Sequence, residues 1–214
     1  MGPLYKDRRH AGEELAEALA RWSGQEDVVV LGLPRGGVPV AAEIADLLKV
    51  DLDVLVVRKL GLPGHEELAM GAVAGGGLVV RNDDVIRAAG VDEAVIEAVI
   101  RAETVEVARR DRAFRGDRPP PELSGRVVVL VDDGLATGAT MRAAVAAVRA
   151  VHPRSVVVAV PVGAAETCEE LGRLADVVVC PHRPGDFRAV GLWYEDFTQT
   201  SDREVQDLLA EHWR

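Results

Sequence analysis

The sequence predicts an α/β protein: a doubly wound, mainly parallel five-stranded sheet with helices on both faces. Three observations lead there. Five short apolar runs, rich in valine, lack the polar alternation of a half-exposed strand and read as strands buried on both faces. Between them lie segments with apolar residues at three-to-four spacing, the period of an amphipathic helix. The alternation of the two kinds from Val28 to Cys180 implies parallel pairing through crossover helices.

In chain order, Arg9 to Trp22 repeats Leu15, Ala18, Leu19 and Trp22 and predicts a helix. Val28 to Leu33 is the first strand. It breaks at Pro34-Arg-Gly-Gly37 and leads into a helix from Val38 to Leu48. Leu52 to Lys59 reads as a second strand with a basic end. Gly61 to Glu67, rich in turn formers and polar side chains, reads as a mobile loop, and two short strands follow at Met70–Ala74 and Leu78–Arg81. Val91 to Phe114 carries Ala94, Ile96, Val99, Ile100 and Val107 at helical spacing and stops at the proline-rich stretch from Gly116 to Pro121. The strand Val127–Val131, a helix from Thr140 to Val151, the strand Ser155–Val160, a helix over Ala165–Leu174 and the strand Val177–Cys180 complete the alternation. An irregular tail ends in a helix from Asp202 to Trp213, capped by Ser201 or Asp202. With no internal repeat, residues 1–214 read as one domain, with a helical insertion at about 84–116 and a C-terminal tail at about 181–214.

Composition narrows the function classes. A net charge of −10 disfavours nonspecific binding to nucleic acid. No apolar run reaches the roughly 18 residues of a membrane span, and the N-terminal segment lacks a signal-peptide core. Cys168 and Cys180 fit no zinc spacing, so a reduced cytoplasmic setting is the default.

In an open α/β sheet ligands bind outside the carboxyl ends of the strands. Three such ends are unusual here. The third strand ends in VVVLVDDGLATGAT, Val127 to Thr140, where two carboxylates precede a loop of small residues and hydroxyls that opens a helix. Free backbone N–H groups make such a loop an anion cradle. Asp132 and Asp133 beside it are reasonable if they meet ligand hydroxyls or a divalent cation. A ligand with a diol or metal at one end and a phosphate at the other satisfies both halves, and a sugar phosphate has that shape. DDG alone would equally suit an Asp-rich turn with a helix cap. The chain has neither the G-x-G-x-x-G order of a dinucleotide site nor the GK[ST] of a P-loop.

The 14-residue string resembles the PRPP-binding signature of the type I phosphoribosyltransferases, most nearly the adenine enzyme's version, with alanine before Thr-Gly. The resemblance implies the fold of that family and a Mg²⁺-dependent transfer of ribose 5-phosphate from PRPP to an unidentified nucleophile, a nucleobase by analogy. It implies that Asp132 and Asp133 engage the ribose hydroxyls directly or through Mg²⁺, and that Ala136, Thr137, Gly138, Ala139 and Thr140 wrap the 5′-phosphate. Ala136 stands where the hypoxanthine-guanine enzymes have an aspartate, so that residue's proposed proton-accepting role does not transfer. Leu33 to Ala41, LPRGGVPVA, is similar to the family's pyrophosphate turn, with Arg35 supplying charge, Gly36 and Gly37 allowing close backbone approach, and a cis peptide expected between Pro34 and Arg35. VVRKLGLPGHEE resembles more loosely the adenine enzyme's segment leading into a mobile loop, which assigns Arg58 and Lys59 to pyrophosphate, Lys59 with Arg35, Asp132 and Asp133 to catalysis, and His65, Glu66 and Glu67 to a lid. DFRAVGLWYEDF resembles the hood over the acceptor base, making Phe187, Trp193, Tyr194 and Phe197 candidate stackers and Asp196 a polar contact. Over nearly its whole length the chain is similar to a bacterial group of the family with DDGIATGAT-like cores and a G-x-W-Y-x-D-F-x-Q-T ending.

The partners implied are small molecules, PRPP and the acceptor, with no nucleic acid and no membrane; a homodimer follows by analogy. Two other readings stay open. The fold also serves PRPP-binding regulators without catalysis, and two aspartates can hold Mg²⁺ in a sugar-phosphate hydrolase, although no D-x-D nucleophile pattern is present.

Overall fold

A computed structural model describes residues 2–213, without the side chains of residues 66 and 67. The chain opens with α1 (Arg8–Ala18), whose N-cap Asp7 accepts from the His10 N–H, and a 3₁₀ turn (Ala20–Trp22). There follow β1 (Val28–Gly32), α2 (Gly37–Leu48), β2 (Asp51–Val54), β3 (Val57–Leu62), β4 (His65–Ala74), β5 (Leu78–Arg81), α3 (Asp83–Ala89) and α4 (Glu93–Arg115). Then come β6 (Val127–Val131), α5 (Ala139–Arg149), β7 (Ser155–Ala159), α6 (Ala165–Leu171), β8 (Val177–Val179), a 3₁₀ turn (Val190–Trp193) and α7 (Asp202–His212). Ser201 caps α7 by accepting the Glu204 N–H at 3.1 Å.

The main sheet has the order β2-β1-β6-β7-β8, with every pair parallel. Its valine runs are buried on both faces because successive side chains point oppositely. Val28, Val30, Val129 and Val131 face α1, α2, α4 and α7, whereas Val29, Leu31, Val128 and Leu130 face α5 and α6. The chain leaves β1 to place β2 on one side and later β6 on the other. The crevice above β1 and β6 is therefore the topological switch point, where such sheets hold ligands.

One strand differs from the sequence reading. Leu52–Lys59 is divided: β2 ends at Val54, and Val57 begins β3, which pairs antiparallel with β4 in a separate three-stranded sheet, β3-β4-β5. Both halves are apolar, so no polar residue marks the exit. Gly61–Glu67 is a hairpin in place of a loop, with Leu62 opposite His65 and Gly64 at φ +80°, which with Pro63 before it suits a type II turn. At Gly71, φ +157°, a Cβ would overlap the Val80 carbonyl oxygen, so glycine is required where β4 is hemmed by β5.

α4 is tied to the main sheet by charge as well as packing. Arg115, at the end of α4, is buried and donates to Asp53 Oδ1 at 2.6 Å and to the Val54 carbonyl at 2.8 Å. Among the described residues no helix is long and apolar enough to cross a membrane, and Cys168 and Cys180 are free and buried.

Candidate active site

The carboxyl ends of β1 and β6 meet at the switch point. The peptide between Pro34 and Arg35 is cis, as expected. Gly36 lies directly against the acid pair: a Cβ there would stand 2.7 Å from Asp133 Cγ and 3.2 Å from Arg8 Nε. A Cβ on Gly37 would stand 2.5 Å from the Val131 carbonyl oxygen and 2.9 Å from Asp132 Cα. Two glycines thus let one strand end seat on the other.

Asp132 and Asp133 are partly buried, with the Asp133 side chain 16% exposed. Burial, and then the charge of Asp133, push the Asp132 carboxyl well above the usual range. Burial also raises Asp133, against the opposing pull of Arg8. Asp132 accepts the Asp133 N–H at 2.9 Å. Asp133 accepts from Arg8 Nε at 2.8 Å, and Arg8 Nη1 donates to the Thr198 carbonyl at 2.7 Å, with its guanidinium 4.0 Å above the Phe197 ring. Arg8 escaped the sequence reading because it sits outside every motif; the basic cluster Lys6-Asp-Arg-Arg-His10 was its only local signal.

Two crowded carboxylates and one arginine leave the site short of positive charge. Oxygen donors of this kind suit a hard cation such as Mg²⁺, which takes one or two carboxylates and fills its octahedron with water and substrate oxygens. Among the described residues no group of three or more His, Cys, Asp or Glu could hold a metal.

The loop after the acids is exposed at Ala136, Thr137 and Thr140, and Gly138 takes φ +70° to start α5, which no side chain caps. Its first-turn N–H groups therefore point outward without intrahelical partners. The loop is clamped from behind: Leu135 N donates to the Val162 carbonyl, Ala164 N to the Leu135 carbonyl, and Thr167 Oγ1 to the Ala136 carbonyl at 2.8 Å.

The expected pyrophosphate residues are not gathered in one place. Arg35 lines a cleft of about 320 Å³ together with Thr140, Arg109 and Arg110. Its Nη1 lies 3.4 Å from Asp202 Oδ1. Arg58 instead pairs with Glu103 on α4. Lys59, next along the extended strand and so directed oppositely, lines a wider cleft of about 760 Å³ with Thr137, Ala139 and Arg142. His65 begins β4, and the side chains of Glu66 and Glu67 lie outside the described residues.

The tail aromatics are mostly occupied in packing. Trp193 and Tyr194 are buried in a cluster with Tyr5 and Val162, and the Tyr194 hydroxyl donates to the Asp133 carbonyl at 2.5 Å. Burial pushes the Tyr194 hydroxyl far up, so it stays a donor. Enclosed rings offer no face to a base, which corrects the expectation of stacking for these two. Phe187 stacks on Trp193 at 6.5 Å, Phe197 lies beneath Arg8, and exposed Asp196 accepts from Thr198. The tail residue seated on the acid loop is Val190, 2.8 Å (Cγ2) from where a Cβ on Gly134 would be.

A parallel sheet of this order with an acid pair, glycine turn and uncapped helix at its switch point defines the type I phosphoribosyltransferase class. The chain belongs to that family: the phosphoribosyl transferase domain model matches residues 5–192. It is 47% identical to the protein TT1426 from Thermus thermophilus, whose crystal structure superposes with a TM-score of 0.89 over 99% of both chains. Two Mycobacterium tuberculosis proteins, from strains CDC 1551 / Oshkosh and ATCC 25618 / H37Rv, provisionally named phosphoribosyl transferases, are each 52% identical over 206 residues, covering 96% of this chain and 46% of theirs. The chain thus spans about half the length of these curated relatives.

Proposed function

We propose that the chain transfers the ribose 5-phosphate of PRPP to a nitrogen nucleophile of the nucleobase class, releasing pyrophosphate. The observation that carries this reading is the seating of Gly36 against Asp133. It sets the turn suited to a pyrophosphate beside the acids suited to ribose hydroxyls, with the phosphate loop one step further on. Bond breaking at the anomeric carbon builds positive charge on the ribose ring and negative charge on the departing group. Asp132 and Asp133 lie where they stabilise the first, and Arg35 with the backbone N–H groups of Gly36 and Gly37 the second, as fixed electrostatics. Ala136, Thr137, Gly138, Ala139 and Thr140 hold the 5′-phosphate. When bound by Asp132 and Asp133, directly or through the ribose hydroxyls, Mg²⁺ supplies further positive charge to the diphosphate oxygens.

In this reading Lys59 approaches the 5′-phosphate loop from the second sheet and Arg142 lies on α5 beside it, so Lys59 acts on the phosphate end and Arg58 holds α4. Val190 and Phe187 take the acceptor side in place of the buried Trp193 and Tyr194. Buried free cysteines suit the cytoplasmic setting read from the sequence.

Incubation with PRPP, Mg²⁺ and a panel of bases, followed by pyrophosphate detection, tests the proposal. Acceptor-dependent release supports it. Tight PRPP binding with no release for any acceptor turns the assignment to a PRPP-binding regulator. Release of inorganic phosphate from sugar phosphates turns it to a hydrolase. Asp133→Asn should weaken Mg·PRPP binding and turnover together; unchanged values of both remove Asp133 from the site.

A further inference from the structure

The cleft of about 320 Å³ beside Arg35 is walled by the C-terminal half of α4, a helix belonging to none of the sequence motifs. Arg109 and Arg110 both enter its lining, as does Thr140 of the phosphate loop. These two guanidiniums share one carboxylate, Glu106: Arg109 Nε and Nη2 donate to it at 2.8 and 2.9 Å, and Arg110 Nε at 2.7 Å. Together they hold the Glu106 carboxyl down at about 2. Arg35, the third cation, pairs among the described residues with Asp202. Three arginines thus stand against two carboxylates, an excess of positive charge in a chain whose net charge is −10. A guanidinium has five N–H donors, and Glu106 engages two on Arg109 and one on Arg110. Among the described residues the remaining donors have no carboxylate partner, so they can serve an anion that reaches between α4 and the Pro34–Gly37 turn.

We propose that Arg109 and Arg110 are binding residues for the diphosphate end of the donor, closing over it from α4 while Arg35 and the glycine turn hold it from below. This inference rests on the proposed phosphoribosyl transfer for the identity of the donor, but not for the presence of the anion site. A diphosphate fits because its oxygens span two phosphorus centres, giving acceptors both to Arg35 and to the α4 pair, which line the same cleft. As the glycosidic C–O bond breaks, the electron pair leaves with the diphosphate, so contacts at this end grow stronger towards the product side. The stretch between β2 and β6 then contributes to the site, in addition to covering it.

Isothermal titration separates the possibilities, using inorganic pyrophosphate, Mg·PRPP and ribose 5-phosphate with wild type, Arg109→Gln/Arg110→Gln and the control Arg101→Gln. Arg101 is an exposed arginine on the same helix, paired with Glu97. The double variant should bind pyrophosphate and Mg·PRPP about tenfold more weakly, the effect of losing two solvent-exposed charge contacts, with ribose 5-phosphate unchanged. Arg101→Gln should bind all three like wild type. Full retention of pyrophosphate and PRPP affinity in the double variant, confirmed folded by circular dichroism, overturns the inference. An equal loss in Arg101→Gln overturns it too, because the effect would then be long-range charge. If wild type binds pyrophosphate but not PRPP, and the double variant binds neither, the anion site stands and the donor assignment falls. Wild type that binds none of the three overturns both.

Discussion

Gly36→Ala isolates the contact between the two strand ends. Gly36 has φ −62° and ψ −30°, a conformation alanine adopts freely. Away from its neighbours the substitution would stabilise the chain by about 0.4–1 kcal/mol by restricting the unfolded state. Its neighbours reverse that sign. The new Cβ overlaps the Asp133 carboxylate, with Cγ 2.7 Å away, and crowds Arg8 Nε at 3.2 Å. Backbone holds Gly36, so the carboxylate must swing aside and the 2.8 Å Arg8–Asp133 ion pair opens. Both side chains are more than four-fifths buried in that pair. A hydrogen bond between charged groups contributes roughly 1.5–3 kcal/mol. Net of the entropic gain, urea denaturation should show a loss of about 1–2 kcal/mol. Titration with Mg·PRPP should show affinity lower by about ten- to a hundredfold, the same contact energy now missing from the ribose side. The decisive measurement is a double-mutant cycle. In an Asp133→Ala background the clash has no target, so Gly36→Ala should become neutral or slightly stabilising. Additive effects, or a Gly36→Ala protein as stable and as tight-binding as wild type, would refute the interlock.

Three other outcomes follow from the geometry. Arg115→Ala strands the buried Asp53 carboxylate and should cost about 3–5 kcal/mol in urea unfolding, whereas Asp53→Leu with Arg115→Met should recover most of it. Gly138→Ala places a side chain at φ +70°, 2.5 Å from Thr167 Cγ2. It should cost about 2 kcal/mol or more of stability and lower ribose 5-phosphate affinity, read by the same two assays. Asp176 is held low by Arg149 and then by the Val156 N–H. Its contribution is therefore present above the unfolded carboxylate value near ~3.9 and lost as pH falls through the lower folded value. Asp176→Asn should flatten the stability–pH curve below about pH 4, measured by thermal melts across that range.

The sheet was legible because a parallel strand buried on both faces has almost no choice but valine, leucine and isoleucine, and Val28–Leu33 and Val127–Val131 obey that rule. The acid pair and its loop were legible for the opposite reason: Asp132-Asp133 before small residues makes little sense without a ligand. The exit of the chain at Leu55–Val56 was not legible, since both residues are buried and hydrophobicity does not report which sheet buries them. Arg8 was hidden by distance, standing 125 positions before its partner Asp133. Trp193 and Tyr194 were misread because an aromatic cluster looks the same whether its faces await a base or each other. Arg109 and Arg110 sit on a helix with further arginines, Arg101, Arg112 and Arg115, so nothing local separates the pair lining the cleft from the others.

Arg8 also has a consequence in time. Its guanidinium needs both Asp133, midway along the chain, and the Thr198 carbonyl, 190 positions after it. Chain synthesis proceeds at about 5–20 residues per second, so roughly 10–40 s separate the emergence of Arg8 from that of Thr198. During that interval the β1–β6 core can form, but the acids at its rim lack their arginine anchor and the Tyr194 hydroxyl. Contacts this distant in sequence are also the slowest to close. The two carboxylates therefore acquire their working geometry only after Arg8 and Thr198 have met, so assembly of this rim reports that the chain has been made through Thr198.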